Sequence, residues 1–125
     1  MATDCRALIV DDDEDLAFLT AMTIETANHG LSVAGVASSG REAIDMLDKT
    51  VADVVVLDFR MPEANGLEVA AELLARDPKR SIILFSAYLE EATVKAADRL
   101  GVRECLSKDD IKALPDAIRR CCRRL

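Results

Sequence analysis

Asp11 and Asp12 close the stretch LIVDD, Asp58 closes VVVLD, Ser86 closes IILFS and Lys108 closes ECLSK. Each of these polar residues lies at or just past the end of a short apolar run. Three carboxylates suit a divalent cation, a hydroxyl and an ammonium suit the oxygens of a phosphoryl group, and one carboxylate is available as a nucleophile.

Taken singly, each of these residues is an ordinary cap or surface group. Asp13, Glu14 and Asp15, which continue the acidic row, are accounted for as capping and first-turn acids of a helix, each worth about 0.5 kcal/mol. Asp11 and Asp12 differ if they share one end of a sheet with Asp58. At about 4 Å and an effective dielectric of about 20, two such carboxylates repel by roughly 4 kcal/mol. A divalent cation removes that repulsion. Mg²⁺ fits, because it takes one or two carboxylates, keeps several waters and is completed by phosphate oxygens.

The elements that must position these residues follow from the apolar pattern. Short runs lie at 7–10, 31–37, 54–57, 82–85 and 104–106, and the first, third and fourth are apolar on both faces, as buried parallel strands are. Helical spacing fills the gaps. Leu16, Leu19, Met22 and Thr23 share a face of a helix ending near His29 and Gly30. Ser39 with Glu42, and Asn65 with Glu68, have capping-box spacing. Val94, Ala97 and Leu100 precede Gly101, a C-terminal glycine, and a last helix starting near Pro115 aligns Leu114, Ile118 and Cys121 or Cys122. Five strands alternating with five helices imply a parallel sheet covered on both faces, with ligands at the carboxyl ends of the strands.

Composition narrows the function. The 125 residues suit one domain, 1–125, and 50% hydrophobic with 31% charged residues is ordinary for a globular protein. A net charge of −7 argues against direct nucleic-acid binding, since only Arg119, Arg120, Arg123 and Arg124 form a basic cluster, at a helix C-terminus that favours cations. Cys5, Cys105, Cys121 and Cys122 make no C-x-x-C pair and read as small buried thiols of a reducing cytoplasm. His29 reads as a surface residue at a helix end. No membrane span or signal peptide is expected, and the expected location is cytoplasmic.

The motifs LIVDDD, VVVLDFRMPEANG, the Ser-Ala of IILFSAY and the Ser-Lys-Asp of ECLSKDD together resemble the receiver domain of bacterial two-component response regulators. The resemblance implies a doubly wound, flavodoxin-like fold with five parallel strands in the order 2-1-3-4-5. It implies that Asp58 is the phosphoacceptor, that Asp12 and Asp58 bind Mg²⁺ directly with Asp11 acting mainly through water, and that the Arg60 carbonyl completes the protein ligands. Ser86 and Lys108 would hold the phosphoryl oxygens, and Arg60 and Tyr88 would flank the site as modulators of the phosphoform lifetime. Such a domain is not an enzyme acting on a separate substrate; it catalyses only its own phosphorylation and dephosphorylation.

The implied partners are a histidine kinase or histidine phosphotransfer protein, an output or kinase module C-terminal to the domain, and a second copy meeting the fourth helix, fifth strand and fifth helix. The sequence departs from the family at Cys105, where a Tyr or Phe usually serves as a rotamer switch, and at Asp109, where Pro is common. Two other readings stay open. One is a degenerate receiver that binds proteins without phosphorylation; the other is a Mg²⁺-dependent phosphatase, since Asp11-x-Asp13 matches a D-x-D motif.

Overall fold

Strand alternation divides the apolar residues between two faces, and the computed structural model, which describes residues 5–27 and 30–123, covers each face with helices. The elements are β1 (Cys5–Val10), α1 (Glu14–Ala27), β2 (Leu31–Ala37), α2 (Gly40–Lys49), β3 (Val54–Leu57), α3 (Gly66–Arg76), β4 (Ser81–Ser86), α4 (Glu91–Leu100), β5 (Glu104–Ser107) and α5 (Leu114–Arg123), with a 3₁₀ segment, Lys108–Ala113, before α5. The strands form one parallel sheet ordered β2-β1-β3-β4-β5, as expected for the doubly wound fold. Expectations for His29, Arg124 and Leu125 fall outside the described residues.

Side chains two apart on a strand point the same way. Leu8, Val10, Val55, Leu57, Ile82 and Leu84 therefore pack against Ala43, Ile44, Val69, Ala70, Leu73 and Ala97 of α2, α3 and α4. Their neighbours Ala7, Ile9, Val54, Val56, Ile83 and Phe85 pack against Ala17 and Ile24 of α1 and Leu114, Ala117, Ile118 and Cys121 of α5. Because β1, β3 and β4 are clothed on both sides, they carry continuous aliphatic runs rather than alternation.

Punctuation in the sequence is used largely as its chemistry predicts. Asn65 and Glu68 form a reciprocal capping box on α3, and Gly101 ends α4 at φ 108°. Ser39 caps α2 by accepting the Glu42 N–H, but Glu42 returns to the Ser38 N–H instead of Ser39, so the box is shifted by one residue. Gly30 takes φ 85° between α1 and β2.

Two expectations are corrected. The α1 face of Leu16, Leu19 and Met22 is the solvent face, with these residues 38%, 48% and 47% exposed, while Ala17, Thr20 and Ile24 are buried. The stripe at i, i+3 and i+7 that faces the sheet is made of smaller residues, because the helix lies close to the strands. The cysteines are not four independent thiols: Cys5 at the start of β1 and Cys122 in the last turn of α5 are joined as a disulfide. Sequence spacing could not reveal a pair 117 residues apart; the topology brings the first strand and the last helix to the same end of the sheet. In chain-entropy terms such a link is worth about 5 kcal/mol.

Gly66 opens α3 directly beneath the end of β3. A Cβ there would meet the Asp58 carbonyl oxygen at 2.7 Å, the Phe59 Cα at 2.8 Å and Leu84 Cδ1 at 2.9 Å, and two of those three are backbone. Its N–H donates to the Phe59 carbonyl at 2.6 Å, so the turn carrying Asp58 is closed around this glycine. Gly66→Ala is expected to destabilise the protein by about 1–3 kcal/mol. Urea denaturation checks this, and an unchanged midpoint would contradict it.

Candidate functional site

At the carboxyl end of the sheet, the connections leaving β1 and β3 diverge, one to α1 and the other to α3 on opposite faces. This is the reversal of strand order where parallel sheets open a crevice. Val10 pairs in register with Leu57, so Asp11 and Asp58, the next residues on each strand, lie side by side. Backbone bonds hold both: the Asp11 N–H donates to Ala37 O and the Asp58 N–H to Val10 O, each at 2.9 Å.

Carboxylate oxygens of Asp11, Asp12 and Asp58 all lie within 4.8 Å of one another. Asp11 and Asp58 are buried and Asp12 is exposed, so the cluster is walled on two sides and open on the third. That donor set fits a hard, oxygen-preferring cation whose remaining positions are filled by water or anionic oxygens.

Lys108 reaches this cluster from the far side of the sheet, 97 residues along the chain from Asp11. Its Nζ donates to Asp11 Oδ2 at 2.9 Å and lies 3.2 Å from Asp58 Oδ1, with the side chain only 14% exposed. Lys108 immediately follows β5, and Ser107 fixes its exit by accepting the Asp109 N–H at 3.1 Å.

Asp13, Glu14 and Asp15 start α1 as expected. Asp13 Oδ1 accepts from the N–H groups of Asp15 and Leu16 at 3.0 and 3.1 Å and so caps α1, with Glu14 and Asp15 in its first turn. Asp11 Oδ1 accepts the Asp13 N–H at 2.9 Å, so Asp11 anchors the helix start with one oxygen and meets Lys108 with the other. Sequence reasoning missed this double duty; two residues separating an Asp from the next N–H is the spacing of an Asx turn, and it was the available signal.

Ser86 ends β4, is 1% exposed, and its Oγ accepts the Tyr88 N–H at 3.4 Å, leaving its hydroxyl proton to donate elsewhere. Arg60, two residues past Asp58, and Tyr88, two past Ser86, meet each other, with the guanidinium carbon 5.2 Å from the ring centroid. Cys105, half-buried on β5, pairs in register with Leu84 and packs on the α2, α3 and α4 side rather than at the carboxylates.

Burial pushes the Asp58 carboxyl above its ordinary value of 3.8; the Lys108 charge opposes this, the Asp11 charge adds to it, and hydrogen bonds from Lys108 and the Arg60 backbone oppose it. Burial pulls the Lys108 ammonium down, but the Asp11 hydrogen bond, the charges of Asp58 and Asp11, and the Asp58 hydrogen bond lift it above 10.5. One cation therefore serves two buried carboxylates, and Asp58 is the one left under-compensated. For both groups the raised value means stability present at low pH and lost as pH rises through the folded value. For Asp58 that loss begins in the acid range; for Lys108 it comes only above 10.5.

A family model described as the response regulator receiver domain matches residues 7–119. The chain is 36% identical over 103 residues to the chemotaxis protein CheY of Thermotoga maritima, covering 82% of this chain and 84% of that protein. It is 35% identical over 102 residues to a protein-glutamate methylesterase/protein-glutamine glutaminase of Treponema denticola, where the match spans 82% of this chain but 27% of the larger relative. Among solved structures, a two-component response regulator of the LuxR family from Aurantimonas superposes with a TM-score of 0.91 at 24% identity, over 97% of this chain and 86% of that one, which shows the shared fold.

The electrostatics make a signed prediction. In chelator-treated buffer at neutral pH, Asp58→Asn is expected to unfold at a higher urea concentration than the wild type, because it removes the under-compensated charge. The margin should shrink as pH falls and vanish below 3.8, where Asp58 is protonated folded and unfolded. A variant no more stable at neutral pH, or a margin independent of pH, would contradict the assignment.

Proposed function

This chain belongs to the response regulator receiver domain family, and from that premise we propose that it is a working phosphoacceptor, taking a phosphoryl group onto Asp58 from a phosphohistidine of a histidine kinase or histidine phosphotransfer protein. The observation that carries this reading is the meeting of three carboxylates and Lys108 at one strand-end crevice, residues drawn from β1, β3 and β5. A degenerate binding module has no use for that arrangement. The phosphatase reading loses ground because Asp11, the first acid of its D-x-D motif, is committed to the Asp13 N–H and Lys108.

In the proposed reaction an Asp58 oxygen attacks phosphorus in line as the bond to the donor histidine nitrogen breaks, and the imidazole leaves with a proton. Asp12 and Asp58 would hold Mg²⁺ directly, Asp11 mainly through water, and the Arg60 carbonyl would complete the protein ligands; the ion supplies charge neutralisation between carboxylates and phosphoryl oxygens. Lys108, already aimed at Asp58, pairs with a phosphoryl oxygen once the acyl phosphate forms. Ser86 donates its hydroxyl to another. The new charge draws the loop after β4 inward and biases the face formed by α4, β5 and α5. With Cys105 in place of an aromatic, that bias travels through Ser86 and the loop holding Tyr88 without a ring exchanging positions on β5.

The domain would work in the cytoplasm and pass its state to an output or kinase module, or to a second copy, through that face. Relatives support the modular reading, since the match covers only part of the Treponema denticola methylesterase. No helix among the described residues is long and apolar enough to cross a membrane.

Incubation with Mg²⁺ and acetyl phosphate is expected to add the mass of one phosphoryl group to the wild type and none to Asp58→Asn. Absence of labelling in the wild type would support the degenerate module, and labelling retained in Asp58→Asn but lost in Asp11→Asn would support the phosphatase. Separately, because Arg60 and Tyr88 pack on each other from the chain segments that follow Asp58 and Ser86, replacing both with Ala is expected to change the decay rate of the phosphoform several-fold. An unchanged rate would remove them as modulators.

A further inference from the structure

At the end of the sheet opposite the carboxylates, Cys5, Cys122 and Asp53 converge, with ligand atoms within 4.8 Å of one another. Cys5 is immobile. Its N–H donates to Gly30 O at 2.6 Å, and the next residue, Arg6, exchanges two bonds with Asp53: Arg6 N–H to Asp53 Oδ2 at 2.9 Å and Asp53 N–H to Arg6 O at 2.7 Å. Cys122 sits on the last turn of α5, half-exposed, where the helix is held to the sheet by buried Ile118 and Cys121 and by a weak bond from Ser81 Oγ to the Cys121 carbonyl at 3.5 Å. Their Cα atoms are 6.3 Å apart, within the range that a cystine spans without backbone movement.

We propose that Cys5 and Cys122 form a reversible thiol–disulfide couple that tethers the last turn of α5 to β1 when oxidised and releases it when reduced. The two cysteines differ in burial: Cys5 is 5% exposed, whereas Cys122 is only partly buried, so Cys122 is the side from which an exchanging thiol or disulfide would approach. A low-molecular-weight disulfide such as oxidised glutathione supplies the oxidising equivalents. The Cys122 thiolate attacks one of its sulfurs, forming a mixed disulfide and expelling one thiol. The Cys5 thiolate then attacks the Cys122 sulfur and expels the second, so the two protein thiol protons leave on two small thiols. The reverse exchange with excess thiol restores the dithiol. The 3₁₀ segment Lys108–Ala113 joins the start of α5 to Lys108, so the tether and the phosphoryl site act on opposite ends of one helix.

The test is thiol counting with exchange measurements. After equilibration with oxidised glutathione, denaturation and alkylation, two of the four cysteines should be modified, Cys105 and Cys121, and all four after dithiothreitol. The oxidised form should melt about 20 °C above the reduced form, and reduction should speed amide exchange at residues 119–123. Cys122→Ser should match reduced wild type in both buffers, while Cys121→Ala should keep the link. If Cys122→Ser does not fold, the oxidised and reduced wild type still decide the matter. Four alkylated cysteines in the oxidising buffer, or equal melting and exchange in the two forms, would overturn the proposal. So would zinc retained by the reduced protein in metal-free buffer and lost in Asp53→Ala, which would make the cluster a metal site instead.

Discussion

Lys108 stands between two buried carboxylates, 2.9 Å from Asp11 and 3.2 Å from Asp58, and no other cationic side chain among the described residues is paired with either. A single positive charge cannot neutralise two negative ones, and with Asp12 beside them the cluster carries a net negative charge in a partly dehydrated crevice. Much of the architecture serves to maintain this imbalance. The β1–β3 register sets the two aspartates side by side, and β5, with β4 between it and β3, carries Lys108 to them. A site left short of positive charge is one into which a divalent cation fits, and under the proposed function an attached phosphoryl group would change how Lys108 is shared.

The same constraint explains why the surrounding backbone is so closely specified. Gly66 leaves no room for a side chain beneath the Asp58 carbonyl, and the α3 capping box fixes the helix that Gly66 begins. Asp11 is tied into the start of α1 through the Asp13 N–H, so a change in its pairing with Lys108 bears on a helix as well as on the cluster. Away from the carboxylates, the cystine joins β1 to the last turn of α5 at the opposite end of the sheet.

Much of this was legible in the sequence because the fold repeats one unit. Aliphatic runs buried on both faces mark β1, β3 and β4 whatever their neighbours, and a polar residue ending such a run lies at the sheet's carboxyl edge, as Asp11, Asp58 and Ser86 do; Lys108 follows the weaker, half-buried β5 run and is placed by the alternation of strands and helices. What was not legible depended on distance or on packing depth. The α1 stripe of Leu16, Leu19 and Met22 has the period of a buried face, yet the sheet accommodates only the smaller Ala17 and Thr20 with Ile24, and hydrophobicity alone cannot rank two apolar faces of one helix. The Cys5–Cys122 link joins residues that only the tertiary fold makes neighbours. The Lys108–Asp11 pairing arises from side-chain reach across the crevice, which residue types and spacing leave undetermined.

The most direct measurement of the central claim is chemical trapping of the acyl phosphate. After reaction with acetyl phosphate and Mg²⁺, borohydride reduction converts a phosphorylated aspartate to homoserine, which tandem mass spectrometry locates by residue. Homoserine is expected at position 58 alone. Homoserine at position 11 or 12, or none anywhere in the chain, would contradict it.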